Sequence, residues 1–363
     1  MKDIRFRGSF TQAVRAPNIS ELFTSPTVGP NGTTDPCAGP TPQFSQAQCA
    51  LTGVKPGQYG NIGVNPANQF NTQDGGNPHL SPEKAHTWSY GLVFQPEFLP
   101  SFVATVDYYD IRVTGAIETQ SGTAVISGCA LSGSANSADC LAINRGPNGS
   151  LWLSTTDYVV TLQENSGLRE TKGVDVKLHY NEDIGAFGKL TYNLEGTDSI
   201  TNITQPSVTV PNLTGTGPAF IAGPQYDCAG YYGNTCNNPL PRWRSVFTTD
   251  WATPWSGLDL NFRWRYIGPS LVDALNPSPL LSASNSIYQG YTRIPSYSYI
   301  DLSAAATVAG NVTLRVGVNN VLDKDPPIVL SGNCPPGACN GNSFSSVYDA
   351  LGRNLYAKVS VKF

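Results

Sequence analysis

Apolar and polar residues alternate with a period of two along much of the chain, most cleanly in LDLNFRWRYIG and NVTLRVGVNN. In the first stretch, Leu258, Leu260, Phe262, Trp264 and Tyr266 alternate with Asp259, Asn261, Arg263 and Arg265. In the second, Val312, Leu314, Val316 and Val318 alternate with Thr313, Arg315, Gly317 and Asn319. A two-residue period points successive side chains to opposite faces, so each stretch predicts a strand with one apolar and one polar side. The pattern recurs in Ile4/Phe6/Phe10, Trp88 to Phe94, Val174 to Tyr180 and Leu190 to Leu194. It also runs through the final NLYAKVSVKF, where Leu355, Ala357, Val359, Val361 and Phe363 share one face. In FVATVDYYDIRV the phase switches near Tyr108 to Asp110, which predicts that the part of the strand above it leaves the regular pattern or carries a bulge. About ten strands are expected in all.

The predicted connections alternate between short and long. Short ones fall near 96–101, 181–188, 253–257 and 309–311, and long ones near 15–84, 116–166, 198–241, 268–297 and 323–352. In an antiparallel up-and-down meander every second connection lies at the same end, so one rim carries tight turns and the other all the long loops. That asymmetry, with apolar faces outward and polar faces inward, is the pattern of a transmembrane β-barrel with short periplasmic turns and long extracellular loops. Aromatics including Trp88, Tyr90, Trp243, Trp251, Trp264 and Tyr266 gather towards strand ends, as interfacial girdles require. A soluble sandwich or barrel also alternates and is the reading periodicity alone favours; the girdles and the final strand ending in Phe363 reverse that preference.

Composition agrees with an all-β chain. Gly (36) and Pro (28) are abundant and no long 3.6-residue period is present, so helices should be few. The net charge of -4 and the scattered Lys and Arg leave no basic stripe for nucleic acid. No stretch approaches the ~20 consecutive apolar residues of a membrane helix.

The eight cysteines form four local couples, Cys37/Cys49, Cys129/Cys140, Cys228/Cys236 and Cys334/Cys339, each inside a polar Gly/Pro/Asn-rich stretch of the long-loop set. Short covalent clips in such loops imply disulfides and an oxidising compartment. Zinc on CPPGAC is the rival reading, but no second couple lies near it in sequence. Catalytic patterns are lacking: no G-x-S-x-G, H-E-x-x-H or P-loop is present, and His79, His86 and His179 are far apart. His86 and His179 are expected on or near polar strand faces. Asp323 and Asp325 in LDKDPP read as a turn rather than a cation site. The chain is expected not to be an enzyme and to carry no cofactor.

Several stretches, in order, resemble one family. The residues Arg15, Ala16, Pro17 and Asn18, followed by Glu21, Leu22 and Phe23 in RAPNISELF, resemble the RAPN..ELF segment of TonB-dependent outer-membrane receptors. NPHLSPE, with Pro82 and Glu83, is similar to that family's NP.L.PE; VDYYDIRVTGAIE is similar to its YYD..I..AI strand. GVNNVLDKDPP, with Asn320, Asp323 and Pro326, is similar to its G..N.LDK.PP, and Phe363 resembles the terminal Phe read by the barrel-assembly machinery.

The resemblance implies about ten carboxy-terminal strands of a larger, 22-stranded barrel with a plugged lumen. Residues 1–363 are then the carboxy-terminal portion of the barrel domain, with the plug absent, Met1 internal to a longer polypeptide, and no competent transport by this piece alone. It further implies a bacterial outer-membrane receptor that captures a scarce solute (oligosaccharide, siderophore-iron or similar) for uptake energised through TonB, which engages the missing plug. Its partners are the lipid bilayer, the assembly machinery and the solute. Loop aromatics Tyr226, Tyr231 and Tyr232, with Tyr288, Tyr291 and Tyr297, are candidates for stacking on that solute. The alternatives are a secreted soluble β-protein that binds or degrades carbohydrate, and a passive porin or adhesin barrel.

Overall fold

The computed structural model describes residues 3–33, 35–67, 69–119, 121–205, 207–210, 219–222, 225–255, 257–278, 281, 292–308, 311–330, 333–335 and 338–362. Among these, ten strands form one antiparallel path: β1 (Ile4–Arg15), β2 (Glu83–Phe94), β3 (Phe102–Thr119), β4 (Tyr158–Asp183), β5 (Lys189–Gln205), β6 (Trp243–Ala252), β7 (Leu258–Ile267), β8 (Tyr297–Val308), β9 (Val312–Asn319) and β10 (Asn354–Val361). They pair in sequence order without a crossover. Connections 95–101, 184–188, 253–257 and 309–311 therefore share one rim, and 16–82, 120–157, 206–242, 268–296 and 320–353 share the other. The outer edges of β1 and β10 pair with no strand among the described residues.

Register turns the sequence periodicity into continuous faces. Ile4, Phe94, Ala104, Leu178, Leu194, Phe247, Trp264 and Ile300 lie side by side across eight strands. One residue along, His179, Asn193, Thr248, Arg263 and Asp301 form a row on the opposite face. Among the described residues nothing covers the apolar face: Phe6 is 79 % exposed, Leu355 74 % and Val359 64 %. A face of this kind is stable as it stands in lipid, whereas in water it would need a partner layer.

Two aromatic belts bound that face. Near the tight-turn rim, Phe94, Phe102, Tyr180, Tyr192 and Phe247 form a ladder with successive ring centroids 6.3, 6.5, 6.1 and 6.4 Å apart. Towards the long-loop rim, Phe10 packs on Trp88 at 4.5 Å and Trp88 on Tyr90 at 6.2 Å. From Trp88 to Phe94 the strand covers about 20 Å at ~3.3 Å per residue, close to the ~25 Å apolar band of outer-membrane barrels. Strands β3 and β4, of 18 and 26 residues, run well beyond the ~10 needed to span a bilayer.

This overrun bears on two expectations. The phase switch at Tyr108 to Asp110 leaves pairing regular on both sides. It marks the point where the strand leaves the apolar band: beyond Trp88 the same face carries Asp110 and Lys172, then Arg112 and Glu170, with the Lys172 ammonium 3.3 Å from Asp110 and 2.9 Å from Glu170. The bulge lies later, at Gly115, whose φ of 61° suits a residue without a Cβ. His86 also falls on this face, stacked at 6.0 Å on Phe10, and not on the polar face. His179 is on the polar face as expected, 2.7 Å from the Asn193 side-chain oxygen and 2.9 Å from the Asn181 amide.

Hydrophobic cores form chiefly where the long loops pack. One joins Phe70, Val125, Ile126, Leu151 and Val159 from the first two long loops and β4. Another joins Tyr232, Val272, Ile294, Val329, Phe344 and Tyr348 from the last three loops onto Ile267 and Tyr299 at the strand ends. At the far end of the sheet, Arg315 and Lys358 face each other directly across β9 and β10, where like charges repel. Lys358→Glu is expected to stabilise this hairpin by about 0.5 kcal/mol, read as a small rise in the urea midpoint; a fall would mean that another group already neutralises the pair.

Candidate functional site

Most of the candidate residues lie at the long-loop rim, and two joints hold it. At the first joint Arg15 ends β1 directly opposite Glu83, the first residue of β2. Its guanidinium donates from Nε to Glu83 Oε2 at 2.6 Å and from Nη1 to Glu21 at 3.0 Å. Pro17 leads into Asn18, which caps the short helix Ile19–Phe23: the Glu21 amide donates to Asn18 Oδ1 and the Asn18 amide to Glu21 Oε2, both at 2.8 Å. This reciprocal capping box satisfies two donors that a helix start otherwise leaves unpaired. Glu83 Oε1 accepts the Ile117 amide at 2.7 Å, tying in β3. Gly76 lies so close to the helix that a Cβ there would meet the Leu22 carbonyl carbon at 2.7 Å. Leu22 is half-buried, Phe23 is exposed, and Pro82 precedes the paired residues of β2.

Hydrogen bonding to Arg15, then to the Asn18 amide, holds the Glu21 carboxyl below its ordinary range. A depressed carboxyl contributes its stability above its unfolded value near 4.5 and loses it as pH falls through the lower folded value. Acidification below that range is expected to open the capping box, seen as faster exchange of the Asn18 amide. Unchanged exchange would show that Glu21 does not hold the helix start.

The second joint is buried. Asp301 accepts from Arg263 Nε and Arg265 Nε at 2.8 Å, from Arg265 Nη2 at 2.9 Å, and from the Asn320 amide at 2.8 Å. Arg265 also reaches Asp349 at 2.9 Å, which brings loop 320–353 back to the sheet. Asn320 is fully buried, and its side chain donates to the Lys324 carbonyl at 2.8 Å and accepts the Lys324 amide at 2.9 Å. Asp323 accepts the Arg353 amide at 2.7 Å and Pro326 is half-buried. The NN.LDK.PP residues thus fold a loop exit, with Asp323 acting as a turn residue.

Four disulfides join Cys37–Cys49, Cys129–Cys140, Cys228–Cys236 and Cys334–Cys339, with Cα separations of 5.6, 4.7, 5.5 and 5.3 Å. The CPPGAC cysteines are therefore bonded to each other. Cys228–Cys236 forms part of the wall of a polar cleft of about 720 Å3, with Glu21, Glu118, Arg169, Thr171, Asn202, Thr204 and Tyr226 in its lining. An apolar hollow lined by Leu260, Leu302, Val316 and Leu355 belongs to the opposite, apolar side of β7 to β10.

The three candidate loop tyrosines separate. Tyr226 lines the cleft, paired with Thr204 of β5. Tyr231 is half-buried against Cys228, Cys236 and Leu281. Tyr232 is corrected: it is fully buried, its ring set edge-on to Phe344 at 5.7 Å and its hydroxyl pushed up to about 12 by burial, so it has no face to offer a solute. Tyr297 is half-buried with the Lys324 ammonium 4.1 Å above its ring. Tyr288, Tyr291 and Phe363 lie outside the described residues. Sequence reading missed Glu118, Arg169, Asn202 and Asp301. Arg169 and Asn202 lie on extensions of strands recognised from their regular portions, where no local pattern distinguishes a cleft wall.

A family model described as TonB dependent receptor-like, beta-barrel, matches residues 1–321. No curated protein matches the chain. Among solved structures, the ferric enterobactin receptor PfeA of Pseudomonas aeruginosa, as a double mutant, superposes with a TM-score of 0.57 at 13% identity, covering 100% of this chain and 38% of that one. The siderophore receptor PirA of Acinetobacter baumannii does so with a TM-score of 0.54 at 16% identity, covering 100% and 39%. At such identities the likeness shows the fold alone, and the chain spans about two-fifths of the length of these receptors. With the family match over residues 1–321, the chain belongs to the TonB-dependent receptor β-barrel family, whose place is the bacterial outer membrane.

Proposed function

We propose that residues 1–363 are the carboxy-terminal portion of the barrel domain of an outer-membrane transport receptor. In this reading the barrel is of the large, 22-stranded class, and strands from the rest of the receptor pair with the free edges of β1 and β10. The receptor takes a scarce solute at the long-loop rim and moves it inward in steps energised through TonB, which acts on a plug outside these residues. It is a transporter and not an enzyme. Its solute belongs to a class such as siderophore-iron or oligosaccharide; the neighbours named above are siderophore receptors.

The observation that carries this reading is the uncovered apolar face of a ten-strand meander whose long, disulfide-clipped loops all share one rim. An edge left open in lipid would strand unpaired backbone groups, so such strands need partners from the same barrel. A secreted soluble β-protein would need the apolar face covered.

The test is membrane fractionation of the chain expressed behind an export signal, with and without Phe363, scored by heat-modifiable gel mobility. Outer-membrane localisation that falls when Phe363 is removed is the expected result, as the barrel-assembly machinery would read that residue. A soluble, urea-insensitive monomer indifferent to Phe363 would overturn the proposal.

A further inference from the structure

We infer that the cleft beside Cys228–Cys236 takes a neutral, polyhydroxylated ligand of the oligosaccharide class and not an anionic metal chelate. The inference rests on the outer-membrane receptor reading and narrows its solute. Its first support is charge. The cation in the lining, Arg169, is already held by Glu118 at 2.8 Å, and Glu21 is held by Arg15 at 3.0 Å. The lining thus holds two carboxylates to one guanidinium, each already in an ion pair, so an anionic chelate entering it would meet net negative charge and no unpaired cation among the described residues.

The second support is unspent hydrogen-bonding capacity. The side chains of Gln163, Thr171 and Asn202 face the cleft and make no hydrogen bond to another described residue. Two amides and a hydroxyl supply paired donors and acceptors, the complement of a ligand rich in hydroxyls. Tyr226 adds a half-buried aromatic ring to the lining, packed on its inner side against Cys228, Cys236 and Leu281, and aromatic rings are the usual stacking partners of the C–H side of a sugar. At about 720 Å3 the cleft falls in the size range of small-molecule sites.

The wall is also cross-braced by hydrogen bonds and a disulfide. Asp227 accepts the Asn202 amide at 2.8 Å and the Ala229 amide at 2.9 Å, the Cys228 amide donates to the Asn202 carbonyl at 2.9 Å, and the disulfide closes the loop behind them. A wall ordered in advance loses less entropy on binding, which matters most for sugars, whose individual hydrogen bonds compete with water.

The test uses the receptor that contains these residues, with the strands that close its barrel, in outer-membrane vesicles. It is titrated with four-residue malto-, cello- and xylo-oligosaccharides and, separately, with a ferric tris-catecholate as the anionic probe. The expected result is saturable binding of at least one neutral oligosaccharide, insensitive to added salt. Tyr226→Ala should weaken it roughly tenfold and Asn202→Ala should weaken it measurably, while Tyr232→Phe leaves it unchanged. Binding of the ferric chelate in preference to every oligosaccharide would overturn the inference and leave the receptor reading standing. Oligosaccharide binding that ignores both Tyr226→Ala and Asn202→Ala, or no oligosaccharide binding by protein shown to be in the outer membrane, would likewise overturn it. A protein that never reaches the outer membrane would overturn the receptor reading itself.

Discussion

Asp301→Ala is expected to detach loop 320–353 from the sheet and to cost roughly 3 kcal/mol of stability. Asp301 is 4 % exposed, and its carboxylate is the shared acceptor for two arginines and the Asn320 amide. Its removal leaves two guanidiniums side by side and a buried backbone donor unmatched. The side chains of Arg263 and Arg265 are 40 % and 24 % exposed, so water offsets part of the loss and the cost stays at the low end for a buried pair. Asp349→Ala removes a more exposed partner of Arg265 and should cost about 1 kcal/mol. Urea unfolding of the detergent-solubilised chain, with exchange at the Asn320 amide, measures both. Equal costs for the two variants would refute the idea that burial of Asp301 fixes the loop.

Tyr232→Ala should cost roughly 3 to 4 kcal/mol, the range for deleting a fully buried aromatic ring. The ring belongs to the cluster that joins three of the long loops, so the loss should appear as faster proteolysis within 206–242 and 320–353 together. Tyr232→Phe keeps the ring and should cost about 1 kcal/mol or less. Tyr226→Ala, at the cleft, should leave proteolysis nearly unchanged and act on ligand binding instead. If Tyr232→Ala left the loops as resistant as before, the cluster would not be what holds them together.

The strands and their faces were legible because period-two alternation is local: a residue such as Trp264 or Arg263 declares its side from its immediate neighbours. The paired loop cysteines were legible for a related reason, since each couple is separated by 12 residues or fewer. The phase switch at Tyr108 to Asp110 was visible as well, and the part of the strand above it carries the expected bulge at Gly115. Alternation does not say which medium a face meets, and a strand leaving lipid exchanges apolar residues for charged ones without any change in pairing. His86 was placed on the wrong face at the same boundary.

The site was less legible. Of the candidate tyrosines, Tyr226 and Tyr232 are six residues apart in one Gly- and Asn-rich loop, and nothing in that spacing separates a cleft wall from a buried core. The RAPN..ELF and N.LDK.PP residues were recognised by resemblance, yet their roles as joints depend on Glu83, Asp301 and Arg353, brought close by pairing and loop folding.

The sequence alone determined an all-β chain with about ten strands, one apolar and one polar face on each, tight turns at one rim and clipped loops at the other, because each property is written in neighbouring residues. Only the tertiary structure decided which loop residues meet. Glu118 finds Arg169 across 51 residues and Arg265 finds Asp349 across 84, and contacts at such separations arise from register and loop packing, which no local pattern encodes.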